Sequence, residues 1–287
     1  MTTFSSYQAI TAEYIRLLNP GEVSRASPTP RPDIADDAPK ILLFSPHPDD
    51  ECIVGGFPLR LLRELHWNAI DVAVTQGSRK DRQQERWQEL ERACEYLGFG
   101  LRATQENGLE KINPETRKTD ARLWGNAVEI IVGILSEYHP QAIFFPHDRD
   151  WNRTHIGTHY LVRDALDRMD ADFSCWTVET EYWGAMSDPN LAIASSSEDV
   201  ADLMAALSFH VGEIQRNPYH LRLPPWMADN VRRGGELVGG QGEAAPDFAF
   251  ATLYRMRQWA DGQFKARWNG GRTVACGGDL QQLFSSK

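Results

Sequence analysis

Two short apolar runs, ILLFS at 41–45 and QAIFFP at 141–146, restrict the possible folds of this 287-residue chain most tightly. Each is continuous rather than alternating, the pattern of a parallel strand buried on both faces. Each ends abruptly in polar, titratable residues: PHPDDE after the first, HDRDWNRTHIGTH after the second. A helical pattern follows each cluster. Strand, polar turn and helix repeated in this way build a parallel α/β sheet with right-handed crossovers. In open sheets of this kind, ligands bind beyond the carboxyl ends of the strands, where strand order reverses. The two clusters lie about 100 residues apart in the chain, yet matching positions allow them to converge.

The rest of the chain fits around that core. Residues 5–19 carry helical spacing (Tyr7, Ile10, Tyr14, Leu17, Leu18), and 20–39 hold five of the sixteen prolines. Residues 1–39 therefore read as a helix and a Pro-rich arm, either a flexible leader or a segment wrapping the domain or a neighbouring subunit. The main α/β domain is expected over 40–207. Its further elements are a helix through Leu59, Leu62 and Leu65, a strand at 69–77 and a helix at 80–97 stopped by Gly98. Helices at 120–138 and 155–169 and a strand at 175–183 follow. From 208 to 287, Pro218, Pro224, Pro225 and the glycine-rich 234–246 segment look too irregular for another strand–helix unit and suggest a cap. The glycine-rich stretch lacks the strand-then-helix setting of a dinucleotide loop and reads first as turn or packing. The expected fold is an α/β, Rossmann-like parallel-sheet sandwich with an irregular C-terminal cap.

Composition removes several classes of function. A 41% hydrophobic and 24% charged chain is neither fibrous nor largely disordered. A net charge of -10 argues against a broad nucleic-acid or anionic-membrane surface, although Arg79, Lys80 and Arg82 form a local basic patch. No run approaches the roughly 20 apolar residues of a membrane span. With no secretory leader visible, the expected location is cytoplasmic. The four cysteines are dispersed, with no CxxC pair, so they read as reduced thiols.

The chemistry concentrates in the two polar clusters. His47 and Asp50, at i and i+3 on a strand-to-helix turn, can face one point. A catalytic zinc takes three protein ligands and keeps one position open, and His155 at the start of the later helix is the best third donor. Asp49 is then left uncoordinated, placed to act as general base toward a metal-activated water. Taken singly, Asp49 or Asp50 is also what a helix N-cap calls for, and His155 with His159 is an ordinary i, i+4 pair. Taken together, in matched strand-end positions, the clusters point to a metal site.

PHPDDE after an apolar strand, RWQELERACEYLG, and DWNRTHIGTH together resemble the LmbE/PIG-L family of zinc-dependent deacetylases over roughly residues 40–185. The resemblance implies an LmbE-like fold and one Zn2+ held by His47, Asp50 and His155, with Asp49 as catalytic base. It further suggests that Arg86 reaches the substrate; an Arg86–Glu89 surface pair is the plainer reading. It implies a small-molecule N-acetylated amino sugar or conjugate as substrate, and family habit allows a homo-oligomer. One departure matters. Where family members carry a histidine three residues before the metal-binding one, and an aspartate just before it, this chain has Asn152 and Thr154. Asn152 can donate to an oxyanion but is no general acid; His159, His210 and His220 are the histidines that could supply one. Glu181, Tyr182 and Trp183 end the last expected strand, where an aromatic can stack on a sugar, core burial being the simpler account of Trp183. The alternatives are an amidase acting on a non-sugar or thiol conjugate at the same site, and an inactive sugar-binding module.

Overall fold

The computed structural model describes residues 4–21, 23–24 and 27–285. In chain order the regular elements are α1 (Phe4–Leu17), β1 (Lys40–Ser45), α2 (Asp50–Ile53), α3 (Gly56–Leu65), β2 (Asn68–Ala73), α4 (Gln83–Leu97) and β3 (Gly100–Ala103). Then come α5 (Pro114–Thr119), α6 (Ala121–Tyr138), β4 (Ala142–Pro146), α7 (Arg153–Leu166), β5 (Cys175–Thr180) and β6 (Leu191–Ser195). The chain closes with α8 (Ser197–Leu207), α9 (Val211–Arg216), α10 (Tyr219–Gly234), β7 (Phe250–Ala260), β8 (Gln263–Ala266) and β9 (Arg272–Val274).

The strands form one sheet in the order β3-β2-β1-β4-β5-β7-β6-β9, with β8 on β7. From β3 to β5 every pairing is parallel. The chain moves outward from β1 to β3, then returns to lay β4 on the other side of β1. The β1/β4 junction is therefore the switch point, and the two polar clusters sit at its carboxyl end. β1 alternates its apolar side chains between two cores. Ile41 and Leu43 join α3, α4, α8 and α10 on one face; Leu42 and Phe44 join α6 and α7 on the other. Alternation inside a fully apolar strand explains why ILLFS shows no polar period: both faces are covered.

Most of the expected core elements are present with shifted ends. β2 stops at Ala73 and β5 at Thr180, short of 77 and 183, because the chain turns at both places to enclose the strand-end cleft. Gly98, at φ 76°, closes α4 as expected.

The tail differs from the irregular cap that its prolines and glycines suggested. α10 runs through Pro224 and Pro225, held by the i, i+4, i+8 stripe of Leu223, Met227 and Val231 against the core. β7 is the longest strand and inserts between β5 and β6, antiparallel to both. Residues 234–246 end α10 and turn the chain toward β7. The arm also has a place. Thr29 Oγ1 donates to Asp202 Oδ2 at 2.6 Å, Arg31 reaches Asn68 and Ile34 packs on the core, so residues 27–39 lie along the domain itself. Residues 1–3, 22 and 25–26 of the 1–39 segment lie outside the described residues.

Candidate metal and catalytic site

β1 delivers its chain into residues 46–49, and α2 begins at Asp50. Asp49 adopts φ 116°, a left-handed conformation that costs a non-glycine residue on the order of 1–3 kcal/mol. α7, capped by Asn152, brings His155 from the other side of the switch point. Three donor atoms meet. His47 Nδ1 lies 3.2 Å from His155 Nε2, Asp50 Oδ2 lies 3.4 Å from His47 Nδ1, and His155 Nε2 lies 3.3 Å from Asp50 Oδ2. Ligands about 2.0–2.1 Å from a tetrahedral ion stand about 3.3–3.4 Å from one another. Two imidazoles and a carboxylate at this spacing, of which Asp50 and His155 are fully buried, fit one divalent cation.

The electrostatics favour positive charge at that point. Burial opposes the Asp50 charge, but His155 and His47 hold its carboxyl well below the usual range. Burial likewise disfavours the His155 imidazolium, yet Asp50 and Asp150 outweigh it and raise its pKa to about 10. Burial lowers the His47 pKa against the pull of Asp50, the direction that favours the neutral imidazole that binds metal. Asp49 is left outside the triangle. Burial first, and the neighbouring Asp50 charge second, push its carboxyl well above the ordinary value, in the direction a general base working near neutrality requires.

Asp150 supports the site and was not singled out in the sequence. Its Oδ1 faces His155 Nδ1 at 3.6 Å and accepts from Asn152 N–H at 2.8 Å; its Oδ2 accepts from Trp183 N–H and Gly184 N–H. A carboxylate behind a ligating imidazole orients the ring. Gly184 permits the close approach: a Cβ there would stand 2.8 Å from Asp150 Cα and 2.9 Å from the Arg149 carbonyl. The sequence signal was an aspartate five residues before His155, inside a cluster already rich in them.

The remaining expected residues separate into two groups. His47, Asp49, Asp50, Arg86 and Asn152 all line one cavity of about 900 Å³, with His155 buried beneath it. Arg86 makes no pair with Glu89; its Nη2 donates to the Pro48 carbonyl at 2.8 Å, so it crosses toward the site. Asn152 accepts from Thr154 N–H at 2.8 Å, a helix cap that leaves its amide N–H groups as donors. Of His159, His210 and His220, none lines the cavity. His159 is buried against the Pro146 carbonyl, His210 is fully buried on Glu51, and His220 lies on α10. Trp183 does line the cavity, with its ring 4.8 Å from Tyr219, and Trp151 stands 79% exposed at the rim. Residues 234–246 contribute nothing to the lining.

An α/β sheet with a His/Asp/His triangle and an aspartate beside it at the switch point forms a candidate divalent-metal site on a Rossmann-like fold. Residues 42–166 match the family described as PIG-L: GlcNAc-PI de-N-acetylase. No curated protein matches the chain by sequence. Among solved structures it is similar to the N,N'-diacetylchitobiose deacetylase of Pyrococcus horikoshii (TM-score 0.57, 16% identity, 89% of this chain and 93% of that one). It is also similar to the conserved protein TT1542 of Thermus thermophilus (TM-score 0.55, 16% identity, 75% and 93%). A third is GalB, the 4-carboxy-2-hydroxymuconate hydratase of Pseudomonas putida (TM-score 0.55, 14% identity, 76% and 95%). At these identities the likeness is one of fold. Among the described residues no helix is long and apolar enough to cross a membrane.

Proposed function

We propose that this chain is a zinc-dependent deacetylase that removes an N-acetyl group from an amino sugar or its conjugate, with Asp49 as general base. The observation that carries the reading is the donor triangle with Asp49 beside it, uncoordinated, on the wall of a cavity. When bound by His47, Asp50 and His155, a divalent cation supplies Lewis acidity for a water and for the amide carbonyl. Asp49 takes the proton of the attacking water and returns it to the leaving amine, since His47, itself a ligand, is the one histidine among the described cavity residues. The Asn152 amide, its oxygen engaged in the cap, offers N–H donors to the developing oxyanion. Arg86, braced on the Pro48 carbonyl, positions the substrate. Trp183, Tyr219 and Trp151 provide faces on which a pyranose ring packs. The volume, about 900 Å³, suits a sugar with an aglycone.

Metal content and acetate release on a panel of N-acetylated amino sugars test this. His155→Ala is expected to lose metal; Asp49→Ala is expected to keep it and lose acetate release. Wild-type protein with stoichiometric zinc and no acetate from any sugar overturns the sugar assignment. Release from a thiol conjugate or a non-sugar amide alone moves the substrate class to the amidase reading. Tight sugar binding without turnover points to a binding module.

A further inference from the structure

Behind Asp49 lies a second set of buried polar groups that the proposed reaction does not use. Glu51 Oε2 accepts the Asp49 backbone N–H at 2.9 Å. Glu51 Oε1 accepts from His210 Nε2 at 2.7 Å and from Cys52 Sγ at 3.0 Å. Glu51, Cys52 and His210 are fully buried, and none lines the cavity. His210 arrives from the junction of α8 and α9, 159 residues along the chain. The donor atoms of Glu51, Cys52 and His210 are close enough together to resemble a metal set. Their separations of 2.7 and 3.0 Å are instead direct hydrogen-bond lengths, shorter than the spacing of ligands around a tetrahedral ion.

We propose that Glu51 and His210 form a positioning pair that locks Asp49 into its left-handed backbone conformation and so aims the Asp49 carboxylate at the reacting water. The inference rests on the reading of Asp49 as base. At φ 116° the Asp49 peptide is held against its own preference, and something must over-determine it. A carboxylate accepting a backbone N–H is a strong, directional clamp. Glu51 in turn is held from the opposite side by a histidine with no contact to the cavity, so its orientation does not depend on what the cavity contains. His47 and Asp50 are fixed separately, by the His47 N–H bond to Asp50 Oδ2 at 2.9 Å. Loss of the clamp therefore frees the base while leaving the ligands in place.

The test combines Glu51→Ala and Glu51→Gln with metal analysis, steady-state kinetics and hydrogen exchange at the Asp49 amide. Glu51→Ala is expected to lower kcat by about 100-fold, the loss expected when a reacting group is misplaced by an ångström, with KM changed less than about twofold. Metal should remain stoichiometric, and the Asp49 amide should exchange at least about tenfold faster once its bond is gone. Glu51→Gln keeps an oxygen for the Asp49 N–H and an amide for neutral His210, and should recover to within about fivefold of wild type. A folded, metal-loaded Glu51→Ala protein with kcat and Asp49 exchange unchanged overturns the proposal. So does a kcat loss that simply tracks metal loss, or a Gln variant as slow as the Ala variant. If Glu51→Ala does not fold, His210→Ala takes its place, since it removes the donor to Glu51: faster Asp49 exchange supports the clamp, unchanged exchange overturns it. Should wild type prove inactive on every substrate, the deacetylase reading fails, while the amide exchange still decides whether Glu51 and His210 hold Asp49.

Discussion

The carboxyl end of β1 and β4 and the seam between β5 and β7 are both rich in buried charge, and they use it in opposite ways. At the seam, Glu179, fully buried, meets Arg255 through two hydrogen bonds of 2.7 and 2.8 Å and Arg257 through another. Arg255 also pairs with Asp148 and Asp188. Here the buried negative charge is met by cations of the same chain. At the switch point three consecutive carboxylates, Asp49, Asp50 and Glu51, are buried side by side. Two of the nearby imidazoles, with Asp50, turn their donor atoms toward one common point. A buried charge paired within its own chain makes loss of either partner costly. Donors gathered around a single point are poised to do chemistry.

Four measurements test that contrast, the most damaging first. Asp49→Asn should lower kcat by about 10²- to 10⁴-fold, the usual contribution of a general base, with metal content and melting temperature near wild type. Retained turnover would remove Asp49 from its role. Asp150→Asn should weaken metal binding by about 10- to 100-fold, the typical effect of removing the carboxylate behind a ligating histidine, read as the chelator concentration that strips the ion. Unchanged affinity would reduce Asp150 to a loop anchor.

Arg255→Met, on the other side of the comparison, should destabilise the fold by about 1–3 kcal/mol, because Glu179 keeps Arg257 but loses its bidentate partner. Metal affinity should not move, and chemical denaturation alongside metal titration separates the two. The mildest effect is in acid. Burial pushes the Asp148 carboxyl up, but Arg255 and His159 outweigh it and hold the group below its ordinary value. A carboxyl depressed in the folded state adds stability above its unfolded pKa, about 3.9 for Asp, and loses it as pH falls through the folded value. Wild type should therefore shed this contribution below about pH 4, and Arg255→Met should flatten that part of the stability profile.

The seam was the part least legible beforehand, and the reason is local. In FATLYRMRQWA the arginines at 255 and 257 break the apolar pattern that marks a central strand. Their neutraliser, Glu179, lies on β5, 76 and 78 residues away, so the strand becomes plausible only when both are seen together. α10 hid behind two prolines in the same way, its apolar stripe having force only once a core exists to receive it. His210 carried no visible sign of partnering Glu51, because nothing in either neighbourhood encodes a contact across 159 residues.

The candidate metal-site residues were legible for the converse reason. β1 and β4 are short, wholly apolar at their centres and followed at once by polar side chains, so strand, turn and donor are all written within fourteen residues. Local pattern, together with the rule that ligands gather beyond strand ends, was enough to read the parallel α/β core, the three residues of the donor triangle and Asp49 beside them. Distant contacts supplied the remainder: β7 completing the sheet, Asp150 behind His155, Trp183 facing the cavity, Glu51 and His210 behind Asp49. Those outcomes depend on which far-apart segments neutralise or bury one another, and packing in three dimensions sets that rather than any one stretch of chain.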